Sequence, residues 1–301
     1  MQTEKSGVLW VAGSFVLWGV MPIYWKHLSH VQSDEILTGR IMWAFFSTLL
    51  LIVILRNGKQ LVQDVRELWK KQFQFWSLFI ASVLVTSNWF IYIWAVNNNY
   101  IVQTSLGYYI NPLVSVLLGI FFLKEKLSSM QKIAFLLATS AVIILTISYG
   151  KFPWISLSLA ITFAVYGFIK KRIQLDSLRG LAIETLFMTP FAIGYYILLF
   201  TKGQAVFLHL DSKTDILLIL TGIATALPLV MYAKGVQMIP LYVSGFFQYI
   251  APTMMLFLGV VVYKEAFSVI EMLSFSIIWA ALILFTISKV YESISMKRNA
   301  H

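Results

Sequence analysis

Ten separate stretches of this chain stay apolar for about twenty residues each, and no other feature constrains the fold as tightly. They run over roughly 7–27, 34–55, 74–96, 99–122, 129–148, 153–170, 178–200, 214–234, 239–262 and 269–289. A bilayer core about 30 Å thick is crossed by about 20 helical residues at 1.5 Å each. Backbone N–H and C=O groups in lipid must be satisfied within the segment, and a helix does that. Each stretch is therefore predicted to be a transmembrane helix. Asn97, Asn98 and Asn99 form the turn between the third and fourth, and Gln237 to Pro240 the turn between the eighth and ninth. Turns this short make antiparallel neighbours. The first stretch follows Lys5, is long, contains Pro22 and lacks a small-x-small cleavage pattern, so it is read as a retained span.

Composition points the same way. Hydrophobic residues make up 59 % of the 301 and charged residues 12 %, with a mean hydropathy of +0.80. A soluble domain carries about 25 % charged residues. Half that charge cannot cover a water-facing shell, which excludes a soluble enzyme, a disordered chain and a nucleic-acid binder. Without cysteine there is no disulfide framework, thiolate metal site or thiol nucleophile. Aromatic residues at 16 %, ten of them Trp, suit interfacial belts, with Trp10 and Trp69 near span ends as anchors.

The net charge of +10 is a topology signal. With a cytoplasmic N-terminus, seventeen Lys and Arg fall in inside loops, five outside, and Arg40 lies within a span. The inside set includes the runs 56–71, 124–132 and 170–179. The bias predicts both termini inside and an even number of spans. These basic residues sit in short loops flush with anionic lipid, so nucleic acid is not an expected partner. The stretch 56–71 is predicted to lie on the cytoplasmic surface, with Leu61, Val65, Leu68 and Trp69 dipping into the interface.

The second half echoes the first. Residues 109–125 read YINPLVSVLLGIFFLKE and residues 249–265 read YIAPTMMLFLGVVVYKE. At an offset of 140, Tyr109/Tyr249, Ile110/Ile250, Pro112/Pro252, Leu118/Leu258, Gly119/Gly259, Lys124/Lys264 and Glu125/Glu265 are identical. Trp18-Gly19 and Tyr166-Gly167 form a weaker echo. The unit holds five spans. Five is odd, so the halves insert with opposite orientation, an arrangement common in secondary transporters that permits alternating access around a central site. The expected fold is an all-α membrane protein of ten transmembrane helices in two inverted five-helix repeats, 1–148 and 149–301.

Ten spans, with each half closing on Pro…Gly…Lys-Glu, resemble the EamA-type permeases of the drug/metabolite transporter superfamily. The stretch Asn88-Trp89-Phe90-Ile91-Tyr92-Ile93-Trp94-Ala95-Val96-Asn97 and the stretch Ser105-Leu106-Gly107-Tyr108-Tyr109-Ile110-Asn111-Pro112-Leu113 are similar to the RarD subfamily. So are Glu184-Thr185 with Pro190, and Gln248-Tyr249-Ile250-Ala251-Pro252-Thr253. The resemblance covers essentially the whole chain. It implies a multi-pass inner-membrane permease with cytoplasmic termini that exports small metabolites or drug-like molecules. Lys124 stands before Glu125 where the family usually has Gly or Ala.

Charge inside a span costs about 2.5–3.5 kcal/mol at the helix centre, so intramembrane ionisable residues are functional candidates. Arg40 in span two and Glu184 in span seven occupy corresponding places, 144 residues apart. They lie near opposite ends of their spans, so each is expected to find a local partner. Two readings stand for Arg40: attraction of an anionic group of the solute, or snorkelling and a structural bond to Glu35 or a carbonyl. Two stand for Glu184: a proton-coupling carboxylate or cation site, or a buried acid held by a hydroxyl such as Thr185.

Asn88 in span three either meets solute or ties helices together. Asn111 precedes Pro112, which frees a backbone carbonyl one turn back, and either fills that gap or borders a cavity. Gln248 and Tyr249 occupy the matching place in span nine. With Trp18, Tyr92, Tyr108 and Arg40 these are the expected solute-binding residues, a Trp- and Tyr-walled cavity suiting a planar or amphipathic solute. Gly107, Gly119, Gly245 and Gly259 are read as packing positions.

No P-loop, H-E-x-x-H motif or G-x-S-x-G elbow is present. His27, His30, His209 and His301 are too few and too peripheral for a metal site. No cofactor or metal is expected. The expected partners are a small-molecule solute, the lipid bilayer and protons, with oligomeric state open. An intramembrane enzyme or scaffold on a transporter-like fold, or a channel, is the alternative.

Overall fold

The structure is a computed structural model and describes residues 2–98, 100–262, 264 and 268–298. Asn99 and Glu265, both named above, lie outside the described residues, as does His301. Twelve helices follow in order: α1 (Gln2–Lys26), α2 (Ser33–Ile54), α3 (Gly58–Lys70), α4 (Gln72–Asn97), α5 (Ile101–Leu123), α6 (Ser129–Tyr149), α7 (Trp154–Arg172), α8 (Ser177–Thr201), α9 (Ser212–Met238), α10 (Leu241–Phe247), α11 (Ile250–Phe257) and α12 (Val269–Arg298). No strand occurs among the described residues.

Among the described residues ten spans are long and apolar enough to cross a membrane. Nine are single helices. The ninth, Leu241–Val262, is broken into α10, α11 and a π-helical turn at Leu258–Val262. Large apolar side chains such as Phe121, Ile147, Phe191 and Ile283 are exposed on the outside of the bundle, where lipid replaces water. The protein is a multi-pass membrane protein.

Local chemistry fixes the helix ends. Ser128 and Gln131 form a reciprocal capping box at the start of α6. Asp176 accepts from Leu178 and Arg179 N–H at the start of α8. Asp211 opens α9, accepting from the Thr214 N–H at 2.9 Å and hydroxyl at 2.8 Å, and these bonds hold its carboxyl below the usual carboxylate range. Lys124 ends α5 in the left-handed region at φ 54, and Lys264, 140 residues on, has φ 59. The sequence echo is thus matched in backbone conformation. It also explains why Gly suits the position of Lys124, since only Gly adopts that conformation freely.

Side-chain contacts show which ends lie together. Lys289 pairs with Glu4 at 3.8 Å, so α12 ends where α1 begins; we call this the terminal end. Arg179, after α7, pairs with Asp64 of α3 at 2.5 Å, placing α3 there too. At the distal end, Glu35 accepts from the Val206 and Phe207 N–H groups at 2.9–3.0 Å, and Gln103 Oε1 accepts from Ile155 N–H at 3.1 Å. Helix α7 therefore begins at the end where α1 finishes.

The main packings are α5 on α7, α1 on α9, α2 on α8 and α9, α4 on α7 and α8, α6 on α12, α5 on α10 and α1 on α11. Exchanging each span for the one five places along maps this set onto itself. An inverted two-fold relation between the halves is compatible with it.

Three sequence expectations change. Leu68 is buried, and with Leu61 and Val65 it packs against Ile173 and Ile183 rather than entering lipid; Trp69 alone stays largely exposed. The apolar face of α3 meets the protein because α8 brings its own apolar side chains beneath it. Lys170 is not a loop residue: it is buried in the last turn of α7. Glu35 serves the amides of 206 and 207, not Arg40.

Candidate functional site

A central cavity occupies the distal half of the bundle, with about 1030 Å³ of atom-free space including its mouth. Spans one, two, three, four, six, eight and nine wall it, so both halves contribute. Of the residues expected to bind solute, Trp18, Arg40, Asn88, Tyr92, Tyr108, Asn111 and Gln248 line it. Tyr249 does not.

The placement of each follows from local structure. Pro112 inside α5 removes an N–H and loosens the turn before it. Tyr249, fully buried, donates its hydroxyl to the Tyr109 carbonyl at 3.3 Å, next along from the Tyr108 carbonyl that Pro112 leaves without its helical donor. Tyr249 thus braces the backbone beside the proline bend, and Asn111 lines the cavity. Gly245 lets α10 press against this bend, since a Cβ there would stand 2.9 Å from the Pro112 carbonyl oxygen. The break between α10 and α11 falls at Gln248 and Tyr249. There Gln248 donates from Nε2 to Ser115 Oγ at 2.9 Å. Asn88 donates from Nδ2 to the Leu159 carbonyl at 2.8 Å and Thr162 Oγ1 at 2.9 Å, so it ties α4 to α7 while bordering the cavity.

Among the described residues Arg40 is the one charged side chain in the lining. Its Nε donates to Thr225 Oγ1 at 3.1 Å. Its guanidinium lies 4.9 Å from the Trp25 ring centroid and 4.6 Å from that of Trp89. Such stacking offsets part of the loss of hydration. Trp18 forms the inner wall, packed on Phe15, Phe163 and Tyr232 with centroids 5.1, 5.6 and 5.8 Å away.

Glu184 lies outside the cavity. Its carboxylate accepts from Lys170 Nζ at 2.6 Å, with each side chain only 1 % exposed, and from the Tyr166 hydroxyl at 3.4 Å. Thr185 bonds the Leu181 and Ala182 carbonyls instead. The lysine partner went unseen in the sequence because it stands in the run Lys170-Lys171-Arg172, which reads as a cytoplasmic loop. Adjacent helical residues point about 100° apart, so one member of such a run can face inward, and that spacing was the available signal.

The terminal end is held shut by polar contacts, one set between the halves at Glu125 and the others within the second half. Glu125 accepts from the Leu241 N–H at 2.7 Å and the Tyr242 N–H at 2.9 Å. The left-handed turn at Lys124 aims it there, and Gly119 makes room, since a Cβ at 119 would stand 2.4 Å from Glu125 Oε2. Lys171 Nζ donates to the Ile239 carbonyl, and Gln237 Nε2 to the Ile173 and Leu175 carbonyls at 3.2 and 3.1 Å. Among the described residues no group of three or more His, Asp or Glu side chains is placed to hold a metal ion.

Comparison with known proteins decides the family. The EamA-like transporter family matches twice, over residues 5–147 and 153–287. This chain belongs to the EamA-like transporter family. The transporter is 48 % identical to the uncharacterized transporter YojE of Bacillus subtilis over 286 residues, 95 % of each chain. It is 36 % identical to Protein RarD of Escherichia coli, covering 95 % of this chain and 96 % of that one. A more distant relative, the chloramphenicol-sensitive protein RarD of Pseudomonas aeruginosa, is 27 % identical over 94 % of both. A solved crystal structure shares the fold of this EamA-like transporter, with a TM-score of 0.71 at 16 % identity over 94 % of this chain and 97 % of the other.

Proposed function

We propose that this transporter is a secondary permease of the plasma membrane that exports small metabolites or drug-like amphipathic molecules by alternating access, without nucleotide. The observation that carries the reading is the cavity walled by both halves and confined to one half of the bundle's depth, with polar clasps closing the other. A bundle that holds solute between two units and is latched at one end needs only to exchange which end is latched. The repeats 1–148 and 149–301 are the units that rock, inverted in the membrane. The excess of inside Lys and Arg supports both termini in the cytoplasm, so the distal cavity belongs to the outward-facing arrangement. Protons drive the cycle through Glu184, which gives up or takes a proton as the contact with Lys170 breaks and reforms. Nucleic acid has no part in it.

Purified protein in liposomes tests the class. Saturable flux with counterflow supports a permease; unsaturable flux without counterflow refutes it in favour of a channel. Untargeted metabolite profiling of deletion and overexpression cells then names the solute, as one compound moving oppositely in the two strains. Glu184→Gln, measured for solute accumulation and its pH dependence, tests the coupling role; unchanged values for both would remove it.

A further inference from the structure

We propose that the cavity selects organic anions, and that its preferred solute is a planar aromatic monocarboxylate carrying a neutral N–H or O–H donor. This rests on the transport reading for its biological meaning and on the cavity alone for its chemistry.

The charge balance comes first. Among the described residues Arg40 is the single charged side chain in the lining, and no carboxylate pairs with it. Among the described residues only Nε is committed, to Thr225. A guanidinium presents five N–H donors in a planar fork that matches a carboxylate. The two tryptophans beside it stabilise the cation without neutralising it. A cavity of low dielectric with one uncompensated positive charge favours an anion and opposes a cation.

The acceptors come second. Asn111 Oδ1 and Gln248 Oε1 are buried and have no hydrogen-bond partner among the described residues, with their side chains 8 % and 3 % exposed. Buried carbonyl oxygens left unpaired cost about 1–3 kcal/mol each, so a solute that supplies a donor recovers that loss. Both are neutral, which suits an N–H or O–H better than an ammonium lacking a counter-charge. The aromatic wall comes third. Trp18, Phe163, Tyr92 and Tyr108 give a flat solute faces and edges to stack on. Carboxylate, donor and ring are thus called for separately by separate groups.

A matched trio of probes tests this on the wild-type protein: indole-3-acetate, indole-3-acetamide and tryptamine, which share the ring and its N–H and differ in charge. Binding is read by titration calorimetry in detergent, and transport by counterflow in liposomes. The expected result is indole-3-acetate bound at least about tenfold more tightly than either analogue, a difference equal to about 1.4 kcal/mol. Arg40→Gln lowers acetate affinity to that of the amide, whereas Arg40→Lys keeps the preference for the anion. Equal affinities, preference for tryptamine, unchanged acetate binding in Arg40→Gln, or binding of none of the three at millimolar concentration each overturns the proposal. Anion-selective binding without counterflow would refute the transport reading and leave the selectivity standing. Counterflow of the amine or amide instead would do the opposite.

Discussion

Replacing Lys170 by Met tests whether the buried pair holds the terminal half of the bundle together. The substitution keeps most of the aliphatic volume and removes the ammonium. Glu184 is then left 1 % exposed with one remaining side-chain partner, the Tyr166 hydroxyl at 3.4 Å. That distance exceeds the usual range for an O–H donor, so it compensates little. Breaking a buried pair by removing one partner costs about 3–5 kcal/mol, while replacing both by apolar groups of similar volume is often neutral or stabilising. At about 2–4 °C per 1 kcal/mol, the range for chains of about 150–250 residues, Lys170→Met should lower the melting temperature by about 6–20 °C. Glu184→Leu, which strands the ammonium, should cost a similar amount. The double variant should recover most of the loss. Thermal unfolding in detergent of the four proteins closes the cycle, with an expected coupling of about 2 kcal/mol or more. A single variant as stable as the wild type, or a double variant that loses the sum of both, would refute the argument. The folded double variant also separates architecture from coupling: if Glu184 carries protons, it should melt normally yet lose the pH dependence of transport.

The remaining predictions concern backbone and access. Lys124→Gly should raise the melting temperature slightly and Lys124→Val lower it, because φ 54 costs a side chain about 1–2 kcal/mol, most for β-branched residues; three equal melting temperatures would sink this. Gly222→Ala should destabilise by about 1–3 kcal/mol, since its Cβ would stand 2.3 Å from the Trp43 carbonyl carbon. Gly194→Ala, whose Cβ meets nothing within 4 Å, should gain up to about 1 kcal/mol from helix propensity, and the reverse order in a thermal-shift assay would contradict the packing of α2 on α9. Because the chain contains no cysteine, one introduced thiol reports access directly. Ala224→Cys in the cavity lining should react with an impermeant maleimide from outside the cell, and Ser82→Cys, buried under the Glu184 carbonyl, should resist; faster labelling at 82 would overturn the assigned opening.

The ten spans were legible because hydropathy is a local property and lipid rewards it uniformly. The cavity was partly legible for a related reason: an amide or guanidinium in an apolar run is costly wherever it points, so Arg40, Asn88, Asn111 and Gln248 stood out. Partnerships were not legible. Glu35 is an acid in the first turn of α2, an ordinary place for one, and only the folded chain shows the amides of 206 and 207 brought to it. Lys170 was hidden among basic neighbours. The break in span nine was half visible in Gly245, Gln248 and Pro252, but the π-helical turn at Leu258–Val262 has no composition of its own. Tyr249 matched Tyr109 in the repeat, which made it look like a cavity residue. In the fold its hydroxyl instead serves the Tyr109 carbonyl beside the Pro112 bend.

The repeat gives Arg40 and Glu184 a shared frame and unlike surroundings. Each stands on the second span of its half, and each is met by a hydroxyl from the third span of the other: Thr225 Oγ1 at the Arg40 side chain and Ser82 Oγ at the Glu184 carbonyl. Arg40 faces the cavity as a bare cation stacked on indoles, whereas Glu184 is neutralised by Lys170. If the halves exchange roles, the cavity at the terminal end inherits a charge-balanced pair, not a free charge. The two access states would then differ electrostatically although the packing of the spans repeats between the halves. An anion would be held more tightly in the distal-facing state by whatever Arg40 contributes, and a ligand moves a two-state equilibrium only through such a difference in affinity. Arg40→Gln should therefore change the balance between the two states as well as the binding constant. With anion present, the labelling rate at Ala224→Cys should respond to the anion in the wild-type background and not in the Arg40→Gln background.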